Sequence, residues 1–187
     1  MKNLIANYLE TLRKATGEMD WSPVEVLAKA LYEAVQQGRC VYLCGNGGSA
    51  GNAVHLANDF LYGIAPDGRA MKVEALTANT SVLTCLGNDI GYDNIFAHQL
   101  QVKAEAGDIL IVLSGSGNST NIIRALEAAK QKNMQSFAIL GFGGGKAKAL
   151  ADVAIHFAVD DMQIAEDTQL IVGHMLMQHL NQELKRV

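Results

Sequence analysis

Five short apolar runs, CVYLC (40–44), AMKVEAL (70–76), DILIVLS (108–114), QSFAILGF (135–142) and DVAIHFAV (152–159), recur between stretches of helical pattern. A run that stays apolar instead of alternating with polar residues suits a strand covered on both faces. The intervening segments, of about 10 to 15 residues, are long enough for the helical crossovers that parallel strands require. The expectation is an α/β fold with a parallel sheet between two layers of helices. Ahead of the first run, Leu4 to about Thr16 has the spacing of an amphipathic helix. SPVE (22–25) then places a serine N-cap, a proline at the first helical position and a glutamate that closes a capping box, opening a second helix to about Gln37. A chain of 187 residues holds one well-cored domain, and no repeat or linker divides it.

In such sheets ligands bind beyond the C-terminal ends of the strands, beside helix N-termini. Two loops at those ends carry chemistry: CGNGGSAGN (44–52) and LSGSGNSTN (113–121). A third, GFGGGKAK (141–148), is also glycine-rich. A glycine-rich turn opening a helix presents free backbone N–H groups and the positive end of the helix dipole, which together favour an anion. GNGGSA (45–50) satisfies the G-x-G-x-x-[GA] pattern, but that fingerprint also needs an acidic residue ending the next strand, and Glu74 lies inside its run. With no G-x-x-x-x-G-K-[ST] either, no nucleotide cofactor is expected. Ser114, Ser116, Ser119 and Thr120 supply hydroxyls around Gly115 and Gly117, which suits a phosphate monoester held without a lysine. The competing reading is that both loops are ordinary turns and N-caps.

Composition narrows the partners. A formal charge of -4, with 15 scattered Lys and Arg, offers no basic surface for nucleic acid. Glu10, Arg13 and Lys14 interrupt the N-terminal apolar pattern, so it does not read as a secretory signal, and no apolar segment is long enough to span a membrane. A cytoplasmic protein is expected. Cys40, Cys44 and Cys85 are odd in number and lack CxxC spacing, which points to reduced, mostly buried thiols.

His55 and Asp59, at i and i+4, share one face of the helix opened by the first loop, a pairing able to hold a divalent metal. Glu166 and His174 lie about two turns apart on the last helix and about 80° out of phase, whereas Asp167 is closer in phase with His174. Periodicity does not choose between Glu166 and Asp167. His98, His156 and His179 read as structural, and Asp89 serves equally as a substrate-side carboxylate or a turn residue.

CGNGGSAGNAVHLANDF (44–60), GNDIGYDNIF (87–96), LSGSGNSTN and QIAEDTQLIVGHML (163–176) together resemble the sugar isomerase (SIS) family and, within it, the phosphoheptose isomerases. The resemblance implies a flavodoxin-like three-layer sandwich with a five-stranded parallel sheet. It also implies a homotetramer with sites at subunit interfaces, in which the N-terminal helices (about 1–37) pack between subunits. By the same resemblance Ser114, Ser116 and Ser119 bind phosphate, and Asn46, Gly47 and Ser49 line the sugar site. His55, Asp59, Glu166 and His174 are implied ligands of a divalent metal, often zinc, with Asp59 as catalytic base and His174 as acid. The family norm is glutamate at the Asp59 position, glutamine at the Glu166 position, and arginine where this chain has Gly63; Arg69 is near but out of register. The implied reaction converts sedoheptulose 7-phosphate to D-glycero-D-manno-heptose 7-phosphate for lipopolysaccharide or capsule heptose. The alternatives are an isomerase of another sugar phosphate, or a non-catalytic phosphosugar-binding regulator of the replication-initiation type.

Overall fold

In the computed structural model, which describes residues 1–68 and 70–185, the apolar runs become five strands. These are β1 (Cys40–Gly45), β2 (Lys72–Ala75), β3 (Ile109–Ser114), β4 (Gln135–Leu140) and β5 (Val153–His156). All neighbours are parallel, in the order β2-β1-β3-β4-β5. Successive side chains point to opposite faces, so each strand feeds two cores. Val41, Leu43, Ile109, Ile111, Leu113, Phe137 and Ile139 pack on one face. Tyr42, Cys44, Leu110, Val112, Ala138 and Leu140 pack on the other. Continuous apolar composition is thus the direct cost of covering both faces.

The first face is covered by α2 (Ser22–Gln37), α3 (Gly48–Asn58) and α8 (Met162–Leu184), with α1 (Lys2–Gly17) lying against α8. The second is covered by α4 (Thr80–Asp89), α5 (Ala97–Lys103), α6 (Thr120–Gln131) and the short α7 (Ala147–Leu150). The order reverses at β1 and β3, where Gly45 pairs with Leu113. The glycine loop after β1 and the serine loop after β3 therefore leave the sheet side by side, at the switch point where α/β sheets bind ligands. Among the described residues, no helix is long and apolar enough to cross a membrane.

Several local expectations are corrected. Ser22 is the first helical residue of α2, not its N-cap, and Trp21 in that place makes no side-chain cap. Asp20 takes over, accepting from Ser22 N at 3.0 Å and Ser22 Oγ at 2.8 Å, because a carboxylate two residues back closes an Asx-type turn around the helix start. The strands are shorter than their apolar runs: Met71 and Phe157 are buried outside the ladder, as packing does not require pairing. Of the thiols, Cys44 is buried, Cys40 half-buried and Cys85 exposed on α4. Glu74 is ion-paired with Lys103 and so serves the sheet edge. Arg69 lies outside the described residues.

Tyr8 ties α1 to α8 through its hydroxyl, which donates to Asp167 Oδ2 at 2.6 Å. That bond and the adjacent carboxylate charge push the Tyr8 pKa up from 10.0 to about 12. A raised folded-state pKa contributes stability that is fully present below the ordinary tyrosine value and is lost as pH climbs through the folded one. The tether should therefore hold at neutral pH and release between pH 10 and about 12. Burial pushes the Tyr42 pKa up as well, so titration of tyrosinate absorbance should show late-titrating tyrosines of which one is missing in Tyr8→Phe; a titration curve whose late phase is unchanged by that substitution would remove the tether.

Candidate active site

The site is assembled by two helices that run alongside each other. α3 starts at the glycine loop, and α8 reaches close to it because Gly173 has no side chain: a Cβ there would overlap the Leu56 methyl groups. Leu56 and Gly173 thus act as knob and hole, and they place their neighbours His55 and His174 at one level. The His55 and His174 Nε2 atoms stand 2.8 Å apart, with the rings edge to face at 83°. Asp59 Oδ2 lies 3.4 Å from His55 Nε2 and 3.6 Å from His174 Nε2. The Asp59 side chain is only 16% exposed, against 48% for His55 and 44% for His174, so the carboxylate forms the floor and the imidazoles form the rim.

A wide turn holds Asp59 in place. Residues Asp59–Gly63 form a π-helical turn in which Ile64 N donates to Asp59 O at 3.2 Å, and Asn181 on α8 donates its Nδ2 to the Gly63 and Ile64 carbonyls, each at 3.1 Å. Such single π turns rotate the helix and recur at functional sites. Gly63 backs onto Met177.

Two facing imidazole nitrogens and a carboxylate oxygen form a donor set suited to a divalent cation. In a tetrahedral site with ligand distances of about 2.0–2.1 Å, ligand atoms are separated by about 3.3 Å, and the three separations here bracket that figure. The residues fit a bound metal.

Glu166 is not a member of this triad. Its carboxylate lies over the Cα of Gly48, at the first turn of α3, where any Cβ would collide with it. The anion-favouring start of α3 thus already faces a carboxylate of the chain itself. Asp167, the residue closer in phase with His174, points to Tyr8. Between them the structure puts Glu166 on the side of the glycine loop and Asp167 on the side of α1.

Around the triad, Ser49 is buried and accepts from Gln169 Nε2 at 3.0 Å, while Asn52 donates to Gln169 Oε1 at 2.9 Å and to the Glu166 carbonyl at 3.0 Å. Ser49 therefore braces α3 against α8. Gly47 initiates α3 with φ 55°, a conformation glycine adopts without penalty. Asp89 ends α4 in an exposed position and accepts from Asn88 Nδ2 at 2.7 Å and from the Cys85 thiol at 3.5 Å. The Asp89 carboxylate in turn raises the Cys85 pKa, through that bond and its charge.

In the serine loop, Ser114 Oγ accepts from Gly117 N at 3.0 Å and Ser116 Oγ accepts from Asn118 N at 3.3 Å. Each hydroxyl keeps its own hydrogen to donate. Ser119 is the N-cap of α6 but makes no side-chain cap bond, so its hydroxyl is also left for another acceptor. The third glycine loop buttresses this one: Ala147 N donates to Gly117 O at 2.9 Å and Lys146 N to Asn118 Oδ1 at 3.1 Å. His156 belongs to the buttress, with Nε2 at 2.9 Å from the Phe142 carbonyl and Nδ1 at 3.1 Å from Lys148 Nζ, in keeping with its structural reading.

Sequence reading singles out neither Asn121 nor Tyr92. Asn121 is buried, and its side chain pairs reciprocally with that of Asn46, at 2.9 and 2.8 Å. Tyr92 Oη donates to Asn46 Oδ1 at 2.9 Å. Both lie within the quoted motifs, but an asparagine after a serine-rich turn has the same sequence signal as an ordinary helix start.

Comparison with known proteins agrees with this geometry. The profile of the SIS domain family matches residues 5–141. The phosphoheptose isomerase of Aliarcobacter butzleri is 36% identical over 175 residues, which cover 94% of this chain and 92% of that protein. The structure of the phosphoheptose isomerase from Neisseria gonorrhoeae superposes with a TM-score of 0.88 at 30% identity, covering 97% of this chain and 98% of that one. A phosphoheptose isomerase from Francisella tularensis gives a TM-score of 0.90 at 27% identity, with 96% and 97% covered.

Proposed function

This chain belongs to the SIS domain family, as an enzyme of the phosphoheptose isomerase type, and from that membership we propose that it converts sedoheptulose 7-phosphate to D-glycero-D-manno-heptose 7-phosphate. The observation that carries the reading is the convergence of His55, Asp59 and His174, two of them on the helix opened by the glycine loop, whose strand end pairs with that of the serine loop. Ser114, Ser116 and Ser119 hold the phosphate by hydroxyl and backbone donors. Asn46 and Gly47 line the path of the sugar, and Asp89 faces it from α4. Glu166 contributes a carboxylate acceptor for sugar hydroxyls next to Gly48.

Ketose-to-aldose isomerisation moves a proton from C1 to C2 through an enediol while the proton on O1 is lost and one is gained on O2. Asp59 is the base. Its Oδ2 faces both imidazoles, which leaves Oδ1 to take the C1 proton and return it to C2. His174, whose Nε2 lies 2.8 Å from that of His55, is the acid that protonates O2 and then regains a proton from O1. His55, Asp59 and His174 would hold a divalent cation, with zinc the best match to two imidazoles and a carboxylate, and Glu166 is the proposed fourth ligand. Such an ion supplies polarisation of the carbonyl and orientation of the hydroxyls.

A homotetramer in the cytoplasm completes the proposal. In its support, α1 is amphipathic yet buries no residue, and Leu4, Ile5 and Leu9 are 62%, 51% and 58% exposed. That apolar face suits subunit packing.

An NMR time course with sedoheptulose 7-phosphate tests the function on protein as purified, after chelation, and after zinc is restored. Formation of the aldoheptose phosphate, reduced by chelation and restored by zinc, is expected. Binding of the sugar phosphate without turnover in any of the three states would overturn the isomerase in favour of a sensor.

A further inference from the structure

The two ligand loops are joined by one amide pair, buried on the Asn121 side and half-buried on the Asn46 side. Asn46 follows β1 in the glycine loop, and Asn121 is the second residue of α6 after the serine loop, 2% exposed. Asn46 Nδ2 donates to Asn121 Oδ1, and Asn121 Nδ2 donates back to Asn46 Oδ1. Tyr92, from the connection between α4 and α5, donates its hydroxyl to the same Asn46 oxygen. A primary amide has two donor hydrogens and two acceptor lone pairs. On Asn46 both lone pairs are therefore engaged and one hydrogen is used, leaving a single N–H. Asn46 meets a ligand only as a donor.

We propose that Asn121 is a positioning residue of the sugar-phosphate site. Through the amide pair it fixes Asn46 as a donor to a ligand oxygen, and it sets the distance between the serine loop and the helix that carries His55 and Asp59. Tyr92 closes the network from a third element and holds the Asn46 oxygen away from the ligand. The inference rests on the phosphosugar reading of the site. It adds that discrimination by distance between the phosphate and the reacting end of the sugar depends on a residue that touches neither. Asn46 is half-buried, so loss of Asn121 frees its amide to turn toward solvent or other partners.

The test has two arms. In ligand-free protein, the Asn46 side-chain amide hydrogen that is bonded to Asn121 should exchange with solvent at least about tenfold more slowly than its unbonded twin, and Asn121→Leu should abolish that difference. Fast exchange in the parent protein, or protection that survives Asn121→Leu, would overturn the proposal whether or not the protein is an isomerase.

In the second arm, Asn121→Leu and Asn46→Ala should each lower kcat/KM for sedoheptulose 7-phosphate by about 10- to 100-fold, chiefly through KM. Tyr92→Phe should cost about 2- to 10-fold. The Asn46→Ala, Asn121→Leu double variant should be no worse than the worse single one. Effects that multiply would show independent roles and overturn the coupling, as would a loss in melting temperature with KM unchanged. Should the parent protein fail to turn over this sugar, the functional reading fails, while amide exchange still decides the positioning role.

Discussion

Asp59→Asn is expected to lower kcat by about 10³-fold or more while leaving the fold intact. The amide keeps the shape of the carboxylate but cannot accept the substrate proton, and general base catalysis contributes about 10²- to 10⁴-fold. It also takes the only anionic donor out of the triad, so the same variant should bind a divalent metal more weakly. Asp59 is largely covered but faces two half-exposed imidazoles, so the change in folding stability should stay within about 1 kcal/mol. Single-turnover kinetics with sedoheptulose 7-phosphate, metal content by mass spectrometry and thermal melting would be measured together. Retention of more than about a tenth of the parental kcat would take the base role away from Asp59.

Gly117→Ala should be the most damaging change in the proposed phosphate loop. Gly117 has φ 65°, where an L side chain costs about 1–2 kcal/mol. Its Cβ would also overlap the carbonyl of Gly144, a backbone atom that cannot rotate away. The serine and third glycine loops would be pried apart, and the backbone carrying Ser114, Ser116 and Ser119 would shift with them. A displacement of about 1 Å at a binding constellation costs about 10²-fold, so KM for the sugar phosphate should rise by at least that factor. Stability should fall by about 2–4 kcal/mol from strain and overpacking together. Gly143→Ala is the control, since a Cβ there meets nothing within 4 Å, and it should behave like the parent. Equal KM values for the two variants would mean that the serine loop is not the phosphate site.

Much of this molecule was legible from residue order. The five apolar runs became the five strands, and the loops read as ligand-bearing do lie at adjacent strand ends. What failed was local detail whose cause is competition between nearby groups. Ser22 reads as an N-cap, yet Asp20 is a stronger acceptor two residues earlier and takes the role. The bond from Gln169 on α8 to the Ser49 hydroxyl has no signal in the sequence, because it joins residues 120 positions apart. The π turn that follows α3 has no signal in composition, since the same residues suit an ordinary α turn.

Residue order by itself determined the α/β architecture, the pairing of His55 with Asp59 and the donor chemistry of the serine loop, because each depends on separations of a few residues within one element. Only the tertiary structure brought His174 to His55 across 119 positions and Asn121 to Asn46 across 75. It also sent Asp167 to Tyr8 and Glu166 to Gly48. A helix period says which side chains share a face. It does not say how the helix is rotated or how far it slides against its neighbour, and here that was set by Leu56 entering the space above Gly173.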